Sequence, residues 1–117
     1  MQDWEFNMTQ YQSLYLGTTP FSDTSVSINL VAATVATYTV PGTPQQKYRA
    51  KFSWGSGANV YVGLNTIPVA STSGAVTSMP NVEFLPDLKY VKGGDVLSFL
   101  STSAVTDSGL SLLLVNG

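Results

Sequence analysis

Short runs of alternating apolar and polar residues, each cut off by glycine, proline or a hydroxyl-rich turn, fill the chain from residue 25 onward and point to an all-β fold. The clearest run sets Tyr48, Ala50, Phe52 and Trp54 against Arg49, Lys51 and Ser53. Because a strand turns successive side chains to opposite faces, this run predicts a half-buried strand with aromatics inward and cations outward. The same alternation places Val26, Ile28 and Leu30 against Ser25, Ser27 and Asn29. Residues 34–40 set Ala36, Tyr38 and Val40 against Val35, Thr37 and Thr39, until Pro41, Gly42 and Pro44 stop the run.

Residues 59–64 (NVYVGL) read as the next strand, and the Gly55-Ser56-Gly57 gap before them predicts a hairpin with the preceding one. Val82 and Phe84 bracket Glu83 in a short strand ended by Pro86, and Leu88 and Tyr90 lead to a tight turn at Lys92-Gly93-Gly94-Asp95. That turn feeds the apolar residues 96–100. A phosphate-binding glycine loop would open a helix, whereas VLSFLS is β-like. Residues 110–115 (LSLLLV) are a short continuous apolar run suited to a central strand buried on both faces. Six to eight such strands and no helical pattern predict one small β-sandwich or barrel, jelly-roll-like, over residues 25–117.

Two stretches fall outside this pattern. In residues 1–24, Trp4, Phe6 and Met8 have strand spacing, while Tyr11, Leu14 and Tyr15, followed by Leu16, fit a helical face equally well. Burying each such side chain is worth about 1.5–3 kcal/mol, so they belong either in this domain's own sheet or on a neighbouring chain. The expectation adopted is an extended N-terminal arm, with Trp4, Phe6, Met8, Tyr11, Tyr15 and Leu16 as partner contacts. The second stretch, residues 65–80, is a long aperiodic loop rich in Pro, Ser, Thr and Gly; it is the expected exposed tip, with Ile67 and Pro68 as further contacts.

Little chemistry is available to such a chain. It has no His, no Cys and twelve charged residues, five basic and seven acidic, whereas general acid–base catalysis and transition-metal binding draw mainly on His, Cys or clustered carboxylates. Asp3 and Glu5 share a strand face but stand near a terminus. Asp87 and Asp95 lack the spacing of a calcium loop and read as solvated turn acids. A serine nucleophile needs an adjacent base. No catalytic residue, metal or cofactor is therefore expected.

Lys47, Arg49 and Lys51 form a basic patch too small for a nucleic-acid backbone, and alternation alone explains it as a solvated strand face. The first ten residues carry acids and amides where a signal peptide would carry a basic region, and no apolar run approaches the roughly 18 residues of a membrane span. Synthesis in a cytoplasm and a soluble product are expected. Ser and Thr number 27 against the twelve charged residues. So uncharged a surface suits a subunit covered by partners, although strands also favour Thr for their own sake. Exposed aromatics beside amides would suit a glycan, and Trp54 and Tyr61 are the candidates, each of which also fits a core position.

The order KYRAKFSW, NVYVGLN, a Pro/Ser/Gly loop, FLPDL, VKGGDVLSFLS and a final apolar strand resembles that of small virion proteins of tailed bacteriophages, over the last two thirds of the chain. The resemblance is strongest to capsid decoration (cement) proteins. It implies a non-enzymatic subunit on the phage head surface, made in the host cytoplasm, a homotrimer or other small oligomer that locks neighbouring copies of the major capsid protein together. A receptor- or carbohydrate-binding module is the alternative. Neither implies nucleic acid or membrane as a partner.

Overall fold

Eight strands carry the fold: β1 (Thr24–Leu30), β2 (Ala36–Thr39), β3 (Lys47–Ser53), β4 (Val60–Leu64), β5 (Val82–Phe84), β6 (Leu88–Lys92), β7 (Val96–Ser101) and β8 (Val105–Asn116). The computed structural model describes residues 21–70 and 74–116, and among them there is no helix. The proposed arm, with Trp4, Phe6, Met8, Tyr11, Tyr15 and Leu16, lies outside the described residues, as do Asp3 and Glu5.

The strands pair antiparallel in two four-stranded sheets, a first of order β1-β8-β3-β6 and a second of order β2-β7-β4-β5. The pairings are nested. β4 pairs β5, β3 pairs β6, β2 pairs β7 and β1 pairs β8, as though one long hairpin had been rolled up. Two further pairings, β3 with β8 and β4 with β7, zip the rolled ribbon into sheets. This is the arrangement of an eight-stranded jelly roll, and the expected fold class holds.

Alternation explains which residues fill the space between the sheets. Tyr48, Ala50 and Phe52 of β3 point inward beside Leu110 and Leu112 of β8, and meet Val60, Val62, Leu97 and Phe99 of the second sheet. β8 is central in the first sheet, as its apolar run predicts, and Leu113 is buried on the opposite face from Leu110 and Leu112. Between β1 and β8 the register slips: Ile28 faces Ser108 but Leu30 faces Val105. The extra residue is absorbed where Asp107 takes a φ of 55°, so that Val105 and Ser108 both stay buried.

The predicted hairpin between β3 and β4 does not form. β3 belongs to the first sheet and β4 to the second, so residues 54–59 are an arch that crosses from one sheet to the other. Distant partners hold it. The Trp54 indole N–H donates to the Pro86 carbonyl at 2.9 Å, and the Gly55 N–H donates to Ser108 Oγ at 2.9 Å. Trp54 also stacks on Phe52, with ring centroids 5.7 Å apart.

The predicted turn at Lys92-Gly93-Gly94-Asp95 forms, as a crossing from β6 to β7. A side chain at Gly93 would place its Cβ 2.3 Å from the Thr43 carbonyl oxygen, so only glycine lets the 40–46 loop pack there. Both glycine N–H groups are spent within the fold, Gly93 on the Gln46 carbonyl and Gly94 on that of Val40, which leaves neither free to hold a phosphate.

Asp95 departs from the expectation of a solvated turn acid. It is only 5 % exposed, and its carboxylate accepts from the Lys92 N–H at 2.9 Å, Lys92 Nζ at 3.0 Å and Asn65 Nδ2 at 3.1 Å. Burial pushes its pKa up, but the hydrogen bonds from Lys92 and Asn65 and the Lys92 charge outweigh burial and hold the carboxyl below the usual carboxylate range. The buried acid thereby ties the β6–β7 crossing to the end of β4. Asp87 is the solvated one, exposed and paired with Lys51.

Candidate functional site

Three regions offer themselves as a site, and the register of the strands defines two of them. All five basic residues lie on β3 and β6: Lys47, Arg49 and Lys51 on one, Lys89 and Lys92 on the other. Lys47 and Lys92 are directly opposed across the pair. The basic patch is therefore wider than the β3 triplet read from sequence, because Lys92 joins it on the outer face of the first sheet. Lys51 pairs with Asp87, and Lys92 with the buried Asp95, so much of this charge is answered locally.

The second sheet is built differently. Its four strands carry one charged residue, Glu83, and that one occupies an inward position, opposite Val62. The outward positions are Thr37, Thr39, Tyr61, Gly63, Val82, Phe84, Val96, Ser98 and Leu100, with no charge among them. Between Lys51 and Glu83 the chain runs 31 residues without a charged side chain.

Within that face, Phe84 lies opposite Tyr61 and Tyr61 opposite Leu100, which makes an apolar row across β5, β4 and β7. Val35, just before β2, extends it. Phe84 is 47 % exposed and Val35 38 %, while Leu100 is buried. The Tyr61 and Phe84 rings meet tilted at 53° with centroids 4.9 Å apart, the geometry favoured by aromatic quadrupoles. Apolar side chains are also exposed on the outer face of the first sheet, at Leu88 and Tyr90, so what sets this face apart is its lack of charge.

The β4–β5 loop borders this row. It is hinged by two asparagines in the left-handed region, Asn65 with φ 55° and Asn81 with φ 59°. The Asn65 N–H donates to the Val96 carbonyl, and the Leu64 N–H to that of Asn81. From this base the loop folds over the small residues of the sheet: a Cβ on Gly63 would lie 2.3 Å from the Thr66 carbonyl oxygen and 3.2 Å from Pro68 Cδ. Pro68 is consequently buried, and its expected place at a contact surface is corrected: it anchors the loop. Ile67, by contrast, is 62 % exposed, and Val69 and Val76 are exposed beyond it.

The third region is a cleft of about 400 Å³ between the sheets at the β5/β6 edge, floored by Phe52, Val62, Val91 and Leu97. The ion pair of Glu83 and Lys89 stands at its mouth. Among the described residues no three His, Cys, Asp or Glu side chains converge to hold a metal ion. Asp87 and Asp95, weighed as a cation site, do not come together: one faces Lys51, the other Lys92 and Asn65.

Of the two aromatics considered for a glycan, Trp54 has one face on Phe52 and its N–H on Pro86, so it serves the arch. Tyr61 is on the outer face. Sequence reasoning missed Phe84, Leu100 and Val35 as its companions, because their adjacency is set by strands distant in the chain. Comparison of the chain with known protein families, with curated proteins and with solved structures finds no match.

Proposed function

We propose that this chain acts by surface contact and not by catalysis, as a structural protein of a phage virion, specifically a capsid decoration subunit that attaches to the major capsid protein. The observation that carries this reading is the uncharged outer face of the second sheet, with its apolar row Phe84–Tyr61–Leu100 and the exposed Ile67 beside it. Such a face loses little on desolvation, since no ion has to leave water, and gains from apolar burial. Repeated over many sites on a shell, modest contacts add through multivalency. The residues Trp4, Phe6, Met8, Tyr11, Tyr15 and Leu16 supply the second part of the contact in this reading, and self-association as a trimer would present several such faces together.

The test is co-sedimentation of the purified chain with shells assembled from the major capsid protein, after its own mass has been fixed by light scattering during size exclusion. Saturable binding is expected, lost on deletion of residues 1–16 and on charging the row at Tyr61, with the β-core intact by circular dichroism. A folded chain that ignores shells sinks the reading. The second reading, a receptor- or carbohydrate-binding module, draws on the Tyr61–Phe84 pair, since aromatic faces stack on sugars. A glycan array decides it: saturable binding removed by Tyr61→Ala would favour it.

A further inference from the structure

We infer that residues 1–20 dock on the outer face of the first sheet of their own chain, with Asp3 and Glu5 against Arg49 and Lys47. The inference stands apart from attachment through the second sheet, since it rests on the opposite face of the molecule. Its basis is the way charge is divided along the chain. Residues 1–46 contain three acids, Asp3, Glu5 and Asp23, and no Lys or Arg, whereas all five cations lie on β3 and β6. The acidic end and the basic strands are separate in sequence and opposite in sign.

Two cations of that face remain to be answered. Lys51 is paired with Asp87, and Lys92 with Asp95. Among the described residues no carboxylate pairs with Arg49, and Lys47 Nζ donates to the Pro44 carbonyl at 3.3 Å. Lys47 and Arg49 are two residues apart on one strand and share its outer side, as Asp3 and Glu5 would share one side of an extended segment. Exposed ion pairs alone bind weakly, so apolar cover has to add to them. The face offers it. Arg49 stands in register between Tyr90 on β6 and Leu113 on β8. Tyr90 is 72 % exposed and Leu88, on the same face, 49 %. Tyr11, Leu14, Tyr15 and Leu16 supply the matching apolar side chains, while Trp4, Phe6 and Met8 alternate away from the sheet and stay open to a partner.

The point of departure favours the chain's own segment over that of a second copy. The Asp23 N–H donates to the Leu112 carbonyl at 2.8 Å, and its carboxylate accepts from the Leu114 N–H. The segment therefore leaves beside β8, whose other neighbour is β3. With paired strands about 4.8 Å apart, β6 is only about 10 Å from β8. The residues ahead of Phe21 can span up to about 66 Å when extended, so the whole face is within reach. Tethering over so short a distance gives an effective concentration in the millimolar range, above that of a second copy in dilute solution.

The test is a spin label at Gln2→Cys, unique because the chain has no cysteine, read through nitrogen-15 amide spectra of the whole chain. The amide signals of Arg49, Leu88 and Tyr90 should be lost on labelling and return when the label is reduced, while those of Tyr61 and Phe84 persist. Labelled chain without nitrogen-15, mixed with unlabelled chain that carries it, should leave every signal intact, as contact within one chain requires. Lys47→Glu with Arg49→Glu should abolish the loss, and adding Asp3→Lys with Glu5→Lys should restore it. No loss on the first sheet, loss spread equally over both sheets, or loss in the mixed sample, which would assign the segment to a second copy, would each overturn the proposal. The labelled but otherwise unaltered chain keeps the test decisive if a charge variant fails to fold.

Discussion

The outer face of the first sheet carries Lys47, Arg49, Lys51 and Lys92 beside the exposed Leu88 and Tyr90, among Ser25, Ser27, Asn29 and Ser111, whereas the outer face of the second carries Tyr61, Phe84, Val82 and Leu100 among Ser and Thr and no charge at all. The two are built by the same antiparallel pairing and close over one core. What differs is where a small stock of charge is spent. A chain with twelve charges could scatter them evenly and keep both faces wet. Here the cations gather on two adjacent strands of the first sheet, so that sheet's outer face is charged and the outer face of the second is not.

The strongest way to break this comparison is to charge the second face. Tyr61→Lys combined with Phe84→Lys should lower shell binding on the order of 100-fold, a loss of about 2.7 kcal/mol, because the substitutions place ammonium groups in what would be a desolvated centre. Lys47→Glu with Arg49→Glu on the first face should change it by less than about threefold. Equal losses from both pairs, read by co-sedimentation, would erase the distinction between the faces.

A second test concerns how the loop is seated. Gly63→Ala should cost about 2 kcal/mol in urea unfolding, since the new Cβ meets the Thr66 carbonyl oxygen at 2.3 Å and must lift the loop. At Gly109 on the first face, the nearest atom to such a Cβ is the Val26 carbonyl oxygen at 3.3 Å, and the same substitution should cost less than about 1 kcal/mol.

The join between the sheets is tested at Asp95. Asp95→Asn should cost about 1.5 kcal/mol at neutral pH, because a charge-assisted bond to Lys92 is lost in a buried setting. The folded-state pKa is depressed, so this stabilisation is complete above the unfolded value near ~4 and disappears as pH falls through the lower folded value. Urea unfolding should therefore show the gap between wild type and variant closing below about pH 4. The smallest effect belongs to the exposed pair on the first face. Lys51→Met should change stability by no more than about 0.5 kcal/mol, because both partners are well solvated.

Much of the architecture was legible wherever a strand's fate depends on its own residues. Tyr48, Ala50 and Phe52 point inward as alternation requires, and residues 110–115 lie in a central strand. What failed depended on partners far along the chain. Gly55-Ser56-Gly57 permits a hairpin or an arch, and the choice is made by Ser108 and Pro86. Asp95 beside two glycines reads as solvated until Asn65, thirty residues earlier, closes over it. Pro68 reads as exposed in a Pro/Ser-rich loop, but the bare backbone of Gly63 draws it in. For the candidate surface, Tyr61 and Ile67 could be singled out singly. The row could not, because it exists only once β4, β5 and β7 are in register.

The nested pairing bears on how the chain must be made. As it emerges from a ribosome, β4 and β5 can close first, then β3 on β6 and β2 on β7. β1 and the other edge of β3 have to wait. Both border β8, the last of the eight strands to emerge, whose 12 residues lie inside the first sheet. Until they arrive, a nascent molecule holds two unsatisfied strand edges and half a core exposed, a state prone to pair with its neighbours on the same message. Slow translation of the segment that encodes β8, or a product truncated before it, should therefore yield aggregate in preference to a partly folded monomer.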